Sequence, residues 1–112
     1  MDEFYKSGDK LGFEFAKFPK YLLLPPYCRL SNNAKLLYVL MLDRLSLSLK
    51  NDWADVDGRI YIFYSREQMM QDLNISSKST IIKAVNELIA IKLISEEYFS
   101  FGFPKMIFIS KI

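Results

Sequence analysis

The chain has 112 residues, the length of one domain, and its 51% apolar and 25% charged residues exclude a disordered polyelectrolyte. The net charge is only +2, so a nucleic-acid partner has to be argued from where the charge sits. There is no histidine and one cysteine, Cys28, which removes histidine-based acid–base and nucleophile pairs, an internal disulfide and a multi-thiolate metal site.

In chain order, residues 1–10 are mixed polar and read as a mobile start. Residues 11–24 form an aromatic arm in which Phe13, Phe15 and Lys17 alternate as in a short strand, while Pro19, Pro25 and Pro26 divide the segment into extended pieces. Such an arm either lies across the domain to cover its core or is exchanged with a second subunit. Cys28 is expected to be a small, semi-buried apolar residue.

Ser31 is placed to cap a first helix, along which Ala34, Leu37, Tyr38, Met41, Leu42 and Leu45 recur at helical spacing. Leu36, Val39 and Leu40 widen that stripe, so the helix over 31–49 should contact more than one neighbour. Residues 51–58 make a polar turn around Trp53. Asp52, Asp55 and Asp57 there lack calcium-loop spacing, because Gly58 follows Asp57 directly. The β-branched and aromatic run 59–64 predicts a strand.

Ser65 caps a short second helix, with Gln68 placed as the partner of a capping box, and Met69, Met70 and Leu73 supply its buried side. Asn74-Ile75-Ser76 is a tight turn, with Asn74 in the left-handed region and Ser76 capping a third helix over 76–91. On that helix Ile81, Ile82, Ala84, Val85, Leu88 and Ile89 share one arc, and Ser79, Thr80, Lys83, Asn86 and Glu87 the other. After Lys92 a hairpin spans 93–109, with strands through Phe99 and from Met106, and Phe99, Phe101 and Phe103 are expected on one face.

Helix, strand, helix, helix and hairpin together predict an α+β winged helix-turn-helix. It would have three helices, a small antiparallel sheet and an extended N-terminal arm, with an arm over 1–30 and a domain over 31–112. Across 76–92 three lysines face one acid, whereas the first twenty residues balance four bases with four acids. The basic face is therefore local, which suits a helix entering a groove of double-stranded DNA. In that reading the amides and hydroxyls of Ser76, Ser77 and Ser79 hold a phosphate, and Thr80, Lys83 and Asn86 face base edges. Arg66 and Lys78 are placed for backbone positioning, and Lys105 is the one base near the wing turn. Glu87 would repel phosphate and is expected to mark the helix end leaving the DNA.

The glycines open no phosphate loop or dinucleotide fingerprint, so the chain reads as a non-enzyme with no catalytic residue, cofactor or metal. No apolar run reaches membrane-spanning length and no secretory signal opens the chain, so a cytoplasmic protein is expected.

Several stretches closely resemble the N-terminal DNA-binding domain of RepA-type replication initiators of Gram-positive bacterial plasmids. They are Phe15-Ala-Lys-Phe-Pro-Lys20, Leu30-Ser-Asn-Asn-Ala-Lys-Leu-Leu-Tyr38, Leu42-Asp-Arg-Leu-Ser46, Lys50-Asn-Asp-Trp53, Asp57-Gly-Arg-Ile-Tyr61 and Ser79-Thr-Ile-Ile-Lys83. The resemblance implies sequence-specific binding to repeated sites (iterons) in a plasmid origin, as a dimer, with the third helix reading. It also implies recruitment of host replication proteins through a further C-terminal domain, of which this chain is expected to lack the sequence. The aromatic arm and the apolar excess on helix 31–49 are the surfaces expected to pair two copies into a homodimer. The alternatives are a winged-helix transcriptional repressor and a winged helix that contacts protein and never DNA.

Overall fold

The computed structural model describes residues 3–112, so residues 1 and 2 of the leading polar segment lie outside the described residues. Helices α1 (Asn32–Asn51), α2 (Arg66–Leu73) and α3 (Lys78–Ala90) alternate with strands β1 (Ile62–Phe63), β2 (Ile94–Glu97) and β3 (Met106–Ile109). The order is α1-β1-α2-α3-β2-β3, and the three strands form one antiparallel sheet in the order β1-β3-β2. This is the winged-helix topology expected from the sequence.

Each helix starts on a serine. Ser31 Oγ accepts from the Ala34 amide at 3.1 Å, Ser65 Oγ from Gln68 at 3.1 Å and Ser77 Oγ from Thr80 at 3.3 Å. The third cap is Ser77, not Ser76. Asn74 takes φ +55 and ends α2 with its amide on Gln71 O, and the Ile75 amide reaches back to Met70 O at 2.9 Å. Ile75 and Ser76 are used up in leaving that motif, so Ser77 is the first residue whose hydroxyl meets an amide three positions on. Half of the expected capping box at Ser65 forms. The Gln68 side chain points forward to Asp72 at 2.9 Å, not back to the cap.

The core joins Leu22, Leu37, Tyr38 and Met41 to Met69, to Ile81, Ala84, Val85 and Leu88 of α3, and to Ile62, Ile94 and Ile107 of the sheet. Val39 is buried, Leu40 half-buried and Leu36 exposed, so only part of the extra apolar surface of α1 is used within the chain. Residues around the 3-10 turns Lys20–Leu23 and Tyr27–Arg29 wrap α1. There Tyr21 and Tyr38 share a 2.7 Å hydrogen bond, and burial pushes the Tyr38 hydroxyl well above its ordinary pKa. Cys28 is exposed rather than semi-buried, because it sits on the outside of the second turn, where its carbonyl accepts from Lys35 Nζ at 3.1 Å.

The strands are shorter than the sequence pattern suggests. Only Ile62 and Phe63 of the run 59–64 pair with β3, while Ile60 bridges to Ala54. Asp55 explains this, since it accepts from the amides of Asp57 and Arg59 and from the Arg59 guanidinium, closing 54–60 into its own loop. Burial alone would push the Asp55 carboxyl up; these bonds outweigh it and hold the group below the ordinary carboxylate value. Phe13, Phe15 and Lys17 form no strand, because nothing in the described chain pairs with them. Phe4, Tyr5, Leu11, Phe13 and Phe15 stay exposed along this arm, which helps draw the molecule out to 54 × 31 × 29 Å.

Candidate nucleic-acid interface

The Asn74-to-Ser77 turn sets the angle between α2 and α3, and a polar cluster behind α2 holds it there. Tyr64 OH donates to Asp72 at 2.6 Å, Gln68 donates to the same carboxylate, and Arg44 of α1 lies 3.8 Å from it and 3.9 Å above the Tyr64 ring. Burial would raise the Asp72 pKa, but the bonds from Tyr64 and Gln68 and the Arg44 charge lower it overall. Burial likewise pushes the Tyr64 hydroxyl up, and its bond to Asp72 adds to that.

With α2 braced and Ile81, Ala84, Val85 and Leu88 turned into the core, the outward face of α3 is fixed. Ser79, Lys83, Asn86 and Ala90 form its exposed spine, and Thr80 and Glu87 lie half-buried on the flank. Among the described residues neither Lys83 nor Asn86 makes a side-chain hydrogen bond or ion pair. At the start of α3 the Ser77 and Ser79 hydroxyls lie 2.9 Å apart, and Lys78 Nζ is 3.4 Å from Glu67 of α2. Glu67 bonds its own amide and Lys78, and its carboxyl is held below the ordinary value. Ser76 lines a shallow groove with Met70, Gln71, Asn74 and Ile75.

Two predicted site residues lie apart from that spine. Arg66 and Lys105 line one cleft, where the wing turn passes over the start of α2. Lys105 is exposed and unpaired among the described residues. Arg66 is not free: its Nη2 is 2.9 Å from Glu96 Oε1, with the two side chains only 22% and 8% exposed. That pair ties α2 to β2. Glu97 is matched as well, at 2.9 Å from Arg59.

The expectation that Phe99, Phe101 and Phe103 share a face holds for two of them. Phe99 and Phe103 pack on Phe63, with ring centroids 5.2 and 6.1 Å away. Phe101 stands 95% exposed at the tip, beside Gly102 at φ +86. The ladder ends at Glu97 rather than Phe99, and past that point strand alternation no longer governs direction.

Ile82 corrects the other arc. Expected in the core, it is 41% exposed at the edge of the α3 spine. Its place on the wheel, beside Ile89 and next to Asn86, is the one sequence signal of this. Glu87 is also resolved. Its carboxylate reaches α1 and accepts from the Ser31 amide at 2.8 Å and the Ser31 hydroxyl at 2.7 Å. Among the described residues no cluster of three or more potential metal ligands forms, and no helix is long and apolar enough to cross a membrane.

Comparison with known proteins places this geometry in a family. A curated relative from Lactobacillus helveticus, a "41 kDa protein", is 35% identical over 71 residues, which cover 62% of this chain and 20% of that protein. The chain thus matches about a fifth of that relative's length. A solved structure described as "N-Terminal domain of DNA binding protein" superposes with a TM-score of 0.74 at 29% identity, covering 99% of this chain and 85% of that one. Two others, "Structure of Rep-DNA complex" and "Structure of MDR initiator", both have TM-scores of 0.71, at 32% and 33% identity. Each covers 88% of this chain, and the match spans 75% and 77% of those chains. The profile described as "Replication initiator protein A (RepA) N-terminus" matches residues 14–112, and the chain belongs to that family.

Proposed function

We propose that this domain binds double-stranded DNA sequence-specifically at repeated sites of a plasmid replication origin, as a dimer, with α3 in the major groove. The observation that carries the reading is the exposed Ser79–Lys83–Asn86 spine, whose lysine and asparagine have no partner within the described chain. From Ser79 to Asn86 the helix rises about 10 Å, which matches roughly three base-pair steps. Lys83 suits the acceptors of guanine, Asn86 pairs bidentately with adenine, and Ile82 adds an apolar contact for a thymine methyl.

Ser77, Lys78 and Ser79 then meet the phosphates at the helix start, with Ser76 and Thr80 beside them. Lys105 serves a phosphate next to the wing. Arg66, already bound to Glu96, holds the wing against α2 and adds to the field without leaving its partner. The exposed aromatic arm and Leu36 of α1 are the surfaces assigned to the second copy. Host replication proteins would be engaged by sequence beyond this domain, since it matches a fifth of its curated relative. The role is cytoplasmic.

One observation favours a second reading, of a winged helix that contacts protein. Phe63, Phe99 and Phe103 form an aromatic cluster beside the wing turn, with Phe99 and Phe103 exposed. Fluorescence anisotropy with an origin duplex and a scrambled duplex, across a salt series, separates the two. The DNA reading expects tighter origin binding and a log–log salt slope of about −0.9 per neutralised phosphate. Equal affinity for both duplexes, or a flat salt dependence, would sink it.

A further inference from the structure

Lys83 and Glu87 stand four residues apart on α3, the spacing at which an ammonium and a carboxylate on one helix ordinarily meet. Here they do not meet. Both carboxylate oxygens of Glu87 are taken by Ser31, 56 residues away: Oε1 by its amide at 2.8 Å and Oε2 by its hydroxyl at 2.7 Å. The same hydroxyl accepts from the Ala34 amide, so the serine donates to Glu87 while it caps α1. Both bonds to Glu87 are charge-assisted, the stronger kind, and one satisfies an amide at the helix start.

We infer that Ser31 is a positioning residue for the DNA-reading face: by holding both oxygens of Glu87 it keeps that carboxylate off Lys83 and out of the groove. The inference rests on α3 being the reading helix. Lys83 is left without a partner among the described residues, and the negative charge one turn along is turned aside toward α1. A Glu87 released from Ser31 would have two ways to weaken binding. It would pair with the Lys83 ammonium, and it would face phosphate with like charge.

Ser31→Asp tests this because aspartate remains a good N-cap for α1, yet it sets a carboxylate against Glu87. In the full chain, with folding checked by thermal unfolding, Ser31→Asp should weaken origin-duplex binding by about three- to tenfold. Adding Glu87→Gln should restore affinity to within about twofold of Glu87→Gln alone, because no charge is then released. In a Lys83→Ala background, compared at low salt, Ser31→Asp should lose clearly less affinity than in the native background, because only the repulsion of phosphate remains. If Ser31→Asp fails to fold, Ser31→Gly, which caps tolerate, removes the hydroxyl donor but keeps the amide on Oε1, so the same losses are expected in the same direction at smaller size. An equal loss in the Lys83→Ala background would overturn the inference, since Ser31 would then act by moving α3 as a whole. Lys83→Ala weakening binding while the Ser31 variants do not would overturn it and leave the DNA reading standing. No effect from Lys83→Ala itself would remove both.

Discussion

The outward face of α3 and the hairpin beside it are both exposed, yet they treat charge in opposite ways. On α3 the single acid, Glu87, is drawn off to Ser31 and the lysine is left free. On the hairpin Glu96 and Glu97 are matched to Arg66 and Arg59, and Tyr98, Phe99, Phe101, Phe103 and Lys105 stay exposed. On α3 the acid is drawn away from the exposed lysine; on the hairpin both acids are paired, and among the described residues Lys105 is its one unpaired base. In a domain of net charge +2, this local sorting singles out the outward face of α3 as the proposed reading face, which the total does not.

The contrast breaks most visibly in stability. Leu88, on the inward side of α3, is fully buried, and Leu88→Ala should cost about 2–5 kcal/mol in chemical denaturation through the lost transfer energy and the cavity left behind. Phe101→Ser at the wing tip should stay within about 0.5 kcal/mol, because the ring is already in solvent. A large cost at Phe101 would mean that the tip is packed against something in solution, such as a second copy.

In DNA affinity the contrast should hold with a smaller size. Lys83→Ala should cost about 1–3 kcal/mol and relax specificity at one base position. Lys105→Ala should weaken all duplexes alike and reduce the salt slope by about one phosphate. Anisotropy titrations of both variants on origin and scrambled duplexes measure this. A sequence-selective loss at Lys105 would move readout toward the wing.

Much of this arrangement is legible in the chain because it is local. The order of elements follows from changes of period, and Ser31 and Ser65 cap where their hydroxyls meet amides three residues on. What the pattern hides is pairing across distance. Glu87 finds Ser31 56 residues away and Arg66 finds Glu96 30 residues away, so a side chain that reads as free for DNA can be engaged and an apparent repulsion can be diverted. Ser76 and Ser77 are equivalent as letters, and only the Asn74 turn decides between them. Ile82 fits the apolar arc by type, but no neighbour closes over it.

The brace behind both surfaces should show itself in acid. Burial tends to raise the Asp72 carboxyl, but Tyr64, Gln68 and Arg44 together hold it below its unfolded value, so its contribution is complete above about pH 4. It is lost as the pH falls through the lower folded value, because the protonated acid no longer serves Arg44. Asp72→Asn should therefore lower the thermal midpoint near neutrality and flatten its fall between about pH 5 and pH 2. The group is largely solvated, so the change should be smaller than that of Leu88→Ala. An unchanged acid profile would show that the cluster positions α2 without stabilising it.

A small effect of the opposite sign lies at the junction of the two surfaces. Lys92 ends α3 with φ +63, its amide on Ile89 O at 2.9 Å, while the Leu93 amide reaches Leu88 O at 3.0 Å and turns the chain into β2. A side chain in that left-handed conformation costs roughly 1–2 kcal/mol, which glycine avoids. Glycine also loosens the unfolded chain, which returns about 0.4–1 kcal/mol of the gain. Lys92→Gly should therefore raise stability by up to about 1 kcal/mol, read as a shift of the denaturation midpoint at constant m-value. Its second readout bears on the contrast itself. If Lys92 belongs to the junction alone, the salt slope of DNA binding stays where it was. A slope reduced by about one phosphate would instead extend the charged surface of α3 into the start of the hairpin.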